Sequence, residues 1–98
     1  MATASERLVD IANNVRFESL PVEVIRETGR RLLDALGCMI AGANGQTTQQ
    51  VRRTVLALGG APESGILGTQ DSTSCEKAAL VNGTALRFLD FMDGHPGP

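Results

Sequence analysis

Four residues near the end of the chain carry side chains able to move protons or hold anions: Arg87, Asp90, Asp93 and His95. Asp90 and Asp93 stand three apart, on neighbouring positions of a helix end. Asp90 follows Phe88-Leu89 and precedes Phe91-Met92. A carboxylate in such an apolar run is either partly buried or turned into a cleft. Burial raises its pKa toward neutrality, which suits general acid–base work. The plainer alternative is an ion pair with Arg87, three residues earlier. Helix C-termini disfavour acids by up to ~1 kcal/mol, so two acids there favour a functional reason. His95, the only histidine, lies in the loop Gly94-His95-Pro96-Gly97-Pro98. It is a candidate general base or partner to an acid, and equally an exposed loop residue with no task.

Other reactive residue types are isolated. Cys38 and Cys75 have no metal-ligand neighbour at zinc spacing, so no metal site is expected. Cys38 reads as a small apolar core residue. Cys75 falls at an expected helix N-terminus, where a thiolate would be favoured, yet it lacks a catalytic partner and reads as structural. Asn82-Gly83-Thr84 matches a glycosylation sequon inside an expected helix, in a chain without a signal-peptide pattern, and is discounted. Asn82 and Gly83 in mid-helix cost stability, which points to tight packing or a polar contact there.

Four helices are expected to position these residues. Thr3 and Glu6 have capping-box spacing for the first, whose apolar face is Leu8, Val9, Ile11, Ala12 and Val15. The second is capped by Ser19 with Pro21 in its first turn. Its stripe is Ile25, Leu32, Leu36, Met39 and Ile40, and Gly42-Ala43-Asn44-Gly45 ends it. Gly29 and Gly37 inside it cost ~1 kcal/mol each against Ala, and close helix–helix approach is their expected use. The third runs from Thr47 or Thr48 to Leu58, where Gly59-Gly60 stops it. Residues 61–72 read as irregular, with a possible short extended piece at Ser64-Gly65-Ile66-Leu67-Gly68. The last begins at Thr73 or Ser74, again with capping-box spacing from Thr73 to Glu76, and continues to about Asp90. The fold class is therefore all-α.

Composition excludes several function classes. An apolar share of 42% with 20% charged residues is that of a globular chain, not a disordered one. Nine basic residues face eleven acids, so no nucleic-acid partner is expected. Arg30-Arg31 and Arg52-Arg53 read as solvated helix faces. The longest apolar run, residues 31–43, is broken by Asp34 and Gly37 and falls short of the ~18–20 residues of a membrane span. Two Cys cannot staple an oxidised secreted scaffold of 98 residues. The aromatic complement is thin for a complete domain: three Phe, no Tyr and no Trp.

Three segments are jointly familiar: Leu33-Asp34-Ala35-Leu36-Gly37-Cys38-Met39-Ile40-Ala41-Gly42, Ala79-Leu80-Val81-Asn82-Gly83-Thr84-Ala85, and Arg87-Phe88-Leu89-Asp90-Phe91-Met92-Asp93. Their order and spacing resemble the N-terminal part of the MmgE/PrpD family, which includes 2-methylcitrate dehydratase and cis-aconitate decarboxylase. The likeness runs from about residue 5 to the end. It implies that the four helices are the N-terminal part of the large helical domain of a lyase of several hundred residues. That lyase would have a smaller α/β domain, an active site between the two, and a homodimeric assembly. It also implies a small carboxylate substrate, proton transfer next to a carboxylate, no iron–sulfur cluster or other cofactor, and a cytoplasmic or mitochondrial location. By position, Asp90 matches the family's active-site aspartate and Asp93 its second acid. Arg87 stands where members carry Arg or His and would bind substrate. Gly94 stands where the family often has Thr, and His95-Pro96 comes earlier than the family's catalytic His-Pro. The expectation is that the chain alone has no turnover. The alternative is a helical interaction module that kept the family's sequence without its chemistry, with the apolar stripes of the second and fourth helices as a partner surface.

Overall fold

The computed structural model describes residues 1–89, so Asp90, Asp93 and His95 lie outside the described residues. The chain divides into two compact units, Met1–Arg30 and Arg31–Pro98. The element order is α1 (Ala4–Asn14), a single 3-10 turn (Phe17–Ser19), α2 (Val22–Gly42), α3 (Gln46–Leu58), β1 (Ser64–Gly65), β2 (Ser72–Thr73) and α4 (Cys75–Phe88). The mostly helical class read from the sequence is what the structure has. None of these helices is long and apolar enough to cross a membrane.

In the first unit, the expected capping box forms. Glu6 N–H donates to Thr3 Oγ1 at 3.2 Å, and Thr3 N–H donates to the Glu6 carboxylate at 2.7 Å. These two bonds satisfy amides that the first turn otherwise leaves open. The Thr3 backbone amide, and then its hydroxyl, hold Glu6 below the usual carboxylate range. The apolar stripe of α1 stays exposed, with Leu8 at 67% and Ile11 at 62%. Ser19 does not cap α2, contrary to the sequence reading. Its hydroxyl donates to the Arg16 carbonyl at 2.9 Å, inside the 3-10 turn. The Pro21 carbonyl instead accepts the first bonds of α2, from Val24 and Ile25.

In the second unit, α3 packs against α4. Val55 of α3, Ile66 of the hairpin and Val81 of α4 form the buried cluster, with Val51 packed on it. Ala78 and Ala85 are also buried. Their small side chains let α4 lie close to its neighbours. Lys77 Nζ donates to the Gly59 carbonyl, joining the end of α3 to the start of α4.

Within residues 61–72, the short extended piece expected at Ser64–Gly68 is present as β1. Ser64 pairs with Thr73 and Gly65 with Ser72, antiparallel. Two-residue strands are too short to show alternation in sequence. Gly68 turns the tip at a φ of +77°, in the left-handed region that favours glycine. Thr69 bridges the tip, donating to the Ile66 carbonyl at 2.7 Å and accepting from Asp71 N–H at 3.0 Å. The start of α4 also differs from the expected Thr73–Glu76 box. Thr73 belongs to β2 and is buried, and Ser74 is the N-cap. Glu76 accepts from its own amide and from Ser74 Oγ at 2.8 Å, which holds its carboxyl below the usual range.

Of the two alternatives expected at Asn82-Gly83, tight packing or a polar contact, the structure has the polar contact, and a Cβ on Gly83 would meet nothing within 4 Å. Asn82 Oδ1 accepts from Leu67 N–H at 3.0 Å and its Nδ2 donates to the Gly65 carbonyl at 3.2 Å. One mid-helix side chain thus pairs two hairpin backbone groups that no strand partner reaches. Replacing it with Ala leaves a part-buried amide unpaired, a loss of about 1–3 kcal/mol. Asn82→Ala is therefore expected to lower the urea midpoint and to speed hydrogen exchange at Leu67. A normal Leu67 exchange rate would contradict this account.

The Glu6 shift sets a pH dependence for α1. Its folded pKa is depressed, so its contribution is present above the unfolded value and lost as pH falls through the folded one. Amide resonances of Thr3 and Glu6 are expected to titrate together below the ordinary glutamate range. Glu6→Gln abolishes that titration.

Candidate functional site

Of the four residues singled out for chemistry, Arg87 lies within the described part. It sits in the last turn of α4, where a cation is favoured by the carbonyl ends of the helix. Successive positions on α4, Leu80, Thr84 and Phe88, stand four apart, as do Ala79, Gly83 and Arg87. Four-residue spacing places each set on one helix face. That face and Thr47, in the first turn of α3, line a cleft of about 710 Å3. Leu80, Ala79 and Phe88 supply apolar wall, Gly83 leaves it open, and Thr47, Thr84 and Arg87 supply polar groups. A smaller groove of about 310 Å3 lies between α3 and Leu80, and no charged side chain lines it. The cleft is thus the place where a cation, hydroxyls and apolar surface meet, a combination suited to a small acid with a carbon skeleton.

Two glycines outside the cleft position α4. A Cβ on Gly42 would fall within van der Waals contact of the Ala85 carbonyl, and one on Gly45 would strike the Phe88 ring. Both glycines are buried, at the corner between α2 and α3. The backbone of α4 therefore rests directly on that corner, and Phe88 is held as a cleft wall. The close approach that the sequence predicts at Gly29 and Gly37 is not found there. Among the described residues a Cβ at either would meet nothing within 4 Å. Gly83 likewise has open space beside it, as the cleft requires.

The two cysteines are free. Cys38 is half-buried, short of the core position expected for it. Cys75 is exposed at the start of α4. Ser64 Oγ donates to its sulfur at 3.3 Å, and the thiol donates to Glu63 at 3.4 Å. The Glu76 carboxylate already occupies the N-terminal end of the helix, so this trio ties the hairpin to α4. Among the described residues no group of three or more acidic, His or Cys side chains is placed to hold a metal ion. Arg30 pairs with Glu27 at 3.8 Å with both side chains exposed, as a solvated helix face should. Arg53 donates to Gln49 at 3.4 Å.

Thr47 and Leu80 were not singled out from the sequence as site residues. The four-residue repeat on α4 was available as a signal for Leu80. Nothing local marks Thr47, because it joins the cleft only when α3 folds back on α4.

The family model described as the MmgE/PrpD N-terminal domain matches residues 6–98, nearly the whole chain. No curated protein matches, and no solved structure matches.

The seat of α4 is testable by two substitutions of opposite sign. Gly42→Ala forces backbone apart and is expected to cost about 1–3 kcal/mol, with a shifted Phe88 ring resonance. Gly37→Ala meets nothing and is expected to stabilise by about 1 kcal/mol. Urea unfolding measures both, and equal effects would contradict the assignment of the seat.

Proposed function

The chain belongs to the MmgE/PrpD family, and on that footing we propose that it supplies one wall of the active site of a lyase acting on a small di- or tricarboxylate. The observation that carries this reading is the placement of Arg87 on a cleft with apolar walls, two residues before the Leu-Asp-Phe segment. Arg87 offers a planar fork of N–H donors that matches a carboxylate. Asp90, three residues on, is the group proposed to take or return the proton on the carbon next to a substrate carboxylate. Asp93 and His95 are proposed to assist it. Removing that proton builds negative charge on the adjoining carboxylate, and a cation held against it lowers the barrier. Loss of the neighbouring hydroxyl as water then completes a dehydration; in a decarboxylation Asp90 instead delivers its proton to the carbon next to a carboxylate, and the electron pair freed as carbon dioxide leaves closes the shifted double bond. The reading carries with it a homodimeric cytoplasmic enzyme.

A second reading, a helical interaction module with the stripes of α2 and α4 as its partner surface, is favoured by the exposure of Leu32 and Leu33 on α2, while Ala78, Val81 and Ala85 of α4 are buried. Activity separates the two. In the full-length protein, Asp90→Asn is expected to lower kcat on 2-methylcitrate or cis-aconitate by roughly 10²–10⁴-fold, the usual contribution of a positioned acid or base. Full activity with altered stability would instead assign Asp90 to an ion pair with Arg87.

A further inference from the structure

We propose that Thr47 is a second carboxylate-binding residue, acting from α3 on the same ligand that Arg87 holds from α4; the proposal rests on the reading of Arg87 given above. The cleft they share, about 710 Å3, falls in the range of small-molecule sites, roughly 300–1,000 Å3. Its two threonines differ in what they can donate. Thr84 Oγ1 donates to the Leu80 carbonyl at 2.8 Å, so its one hydroxyl proton is already used. Thr28 and Thr54 do the same, to the Val24 and Gln50 carbonyls at 2.7 and 3.0 Å. Each lies deep enough in its helix to find a helical carbonyl four residues back. Thr47 does not, because α3 starts at Gln46 and residue 43 lies before it. Thr47 is exposed on the cleft, where its hydroxyl can turn its proton toward an anion.

The consequence is orientation. The Arg87 fork aligns one carboxylate in its own plane, and a second donor from another helix fixes how the rest of the ligand is turned about that pair. Leu80 and Phe88 then meet the ligand's carbon skeleton. The ligand class is a small carboxylate with an aliphatic portion.

The test is titration of the isotopically labelled chain with tricarballylate at fixed ionic strength, read by amide shifts. The expected result is a set of shifts centred on Thr47, Gly83, Thr84 and Arg87. Thr47→Val is expected to raise Kd about tenfold, the loss of a hydrogen bond to a charged group. Thr47→Ser restores binding. Thr54→Val, the same chemical change elsewhere on α3, leaves Kd unchanged. Wild-type binding by Thr47→Val overturns the proposal. If Arg87→Met then raises Kd, the reading of Arg87 survives without Thr47. If Arg87→Met also leaves Kd unchanged, both fail together. Absence of shifts, or shifts spread over Arg30, Arg31, Arg52 and Arg53, overturns the proposal as well.

Discussion

A backbone carbonyl of α4 rests on the corner between α2 and α3, and it can do so because Gly42 has no Cβ. Gly45 repeats the arrangement one turn further on, under the Phe88 ring. Glycine inside a helix is costly unless something uses the missing side chain, and α4 uses that of Gly42 and also that of Gly45, the N-cap of α3. The contact sets how near α4 lies to the corner, and so whether Val81 reaches Val55 and Ile66. It also holds Phe88 where it walls the cleft. Larger residues at 42 or 45 would move the last turn of α4, and Arg87 with it.

The other fixed point of α4 is Asn82. A helix and a short hairpin have little apolar surface to share, and two-residue strands contribute few ladder bonds. One amide side chain that accepts from Leu67 and donates to Gly65 replaces the missing partners. The pairing fixes the hairpin's position along α4, because any other register would leave the part-buried Leu67 amide without a partner. Glycine contacts fix α4 toward its C-terminal end, and Asn82 fixes its middle.

The first unit is held differently. An eleven-residue helix is marginal in water by propensity alone, since isolated helices shorter than ~12–15 residues seldom persist. Its start is secured locally, by the reciprocal Thr3–Glu6 bonds. None of its side chains is buried, so its apolar stripe contributes no core burial among the described residues. Two modes of stabilisation thus coexist: short-range capping in the first unit and backbone-close packing in the second.

Much of this was legible in the residues themselves. Capping-box spacing, the stripe from Ile25 to Ile40 and the Gly-rich stops placed the four helices to within a few residues. The three familiar segments identified the family, and Asn82-Gly83 in mid-helix marked a place of tight packing or polar contact without saying which. These are local signals, each readable within one or two turns of chain. Local signals do not decide between two roles that one residue can fill. Ser19 could cap a helix or close a 3-10 turn, and Thr73 could start a helix or end a strand. Gly37 and Gly42 look alike in sequence, yet only Gly42 has a neighbouring backbone against it. The cleft, with Thr47 beside Arg87, came only from the tertiary structure. Residues forty positions apart become neighbours through the packing of α3 on α4, and no spacing rule along one chain records which helix will lie across another.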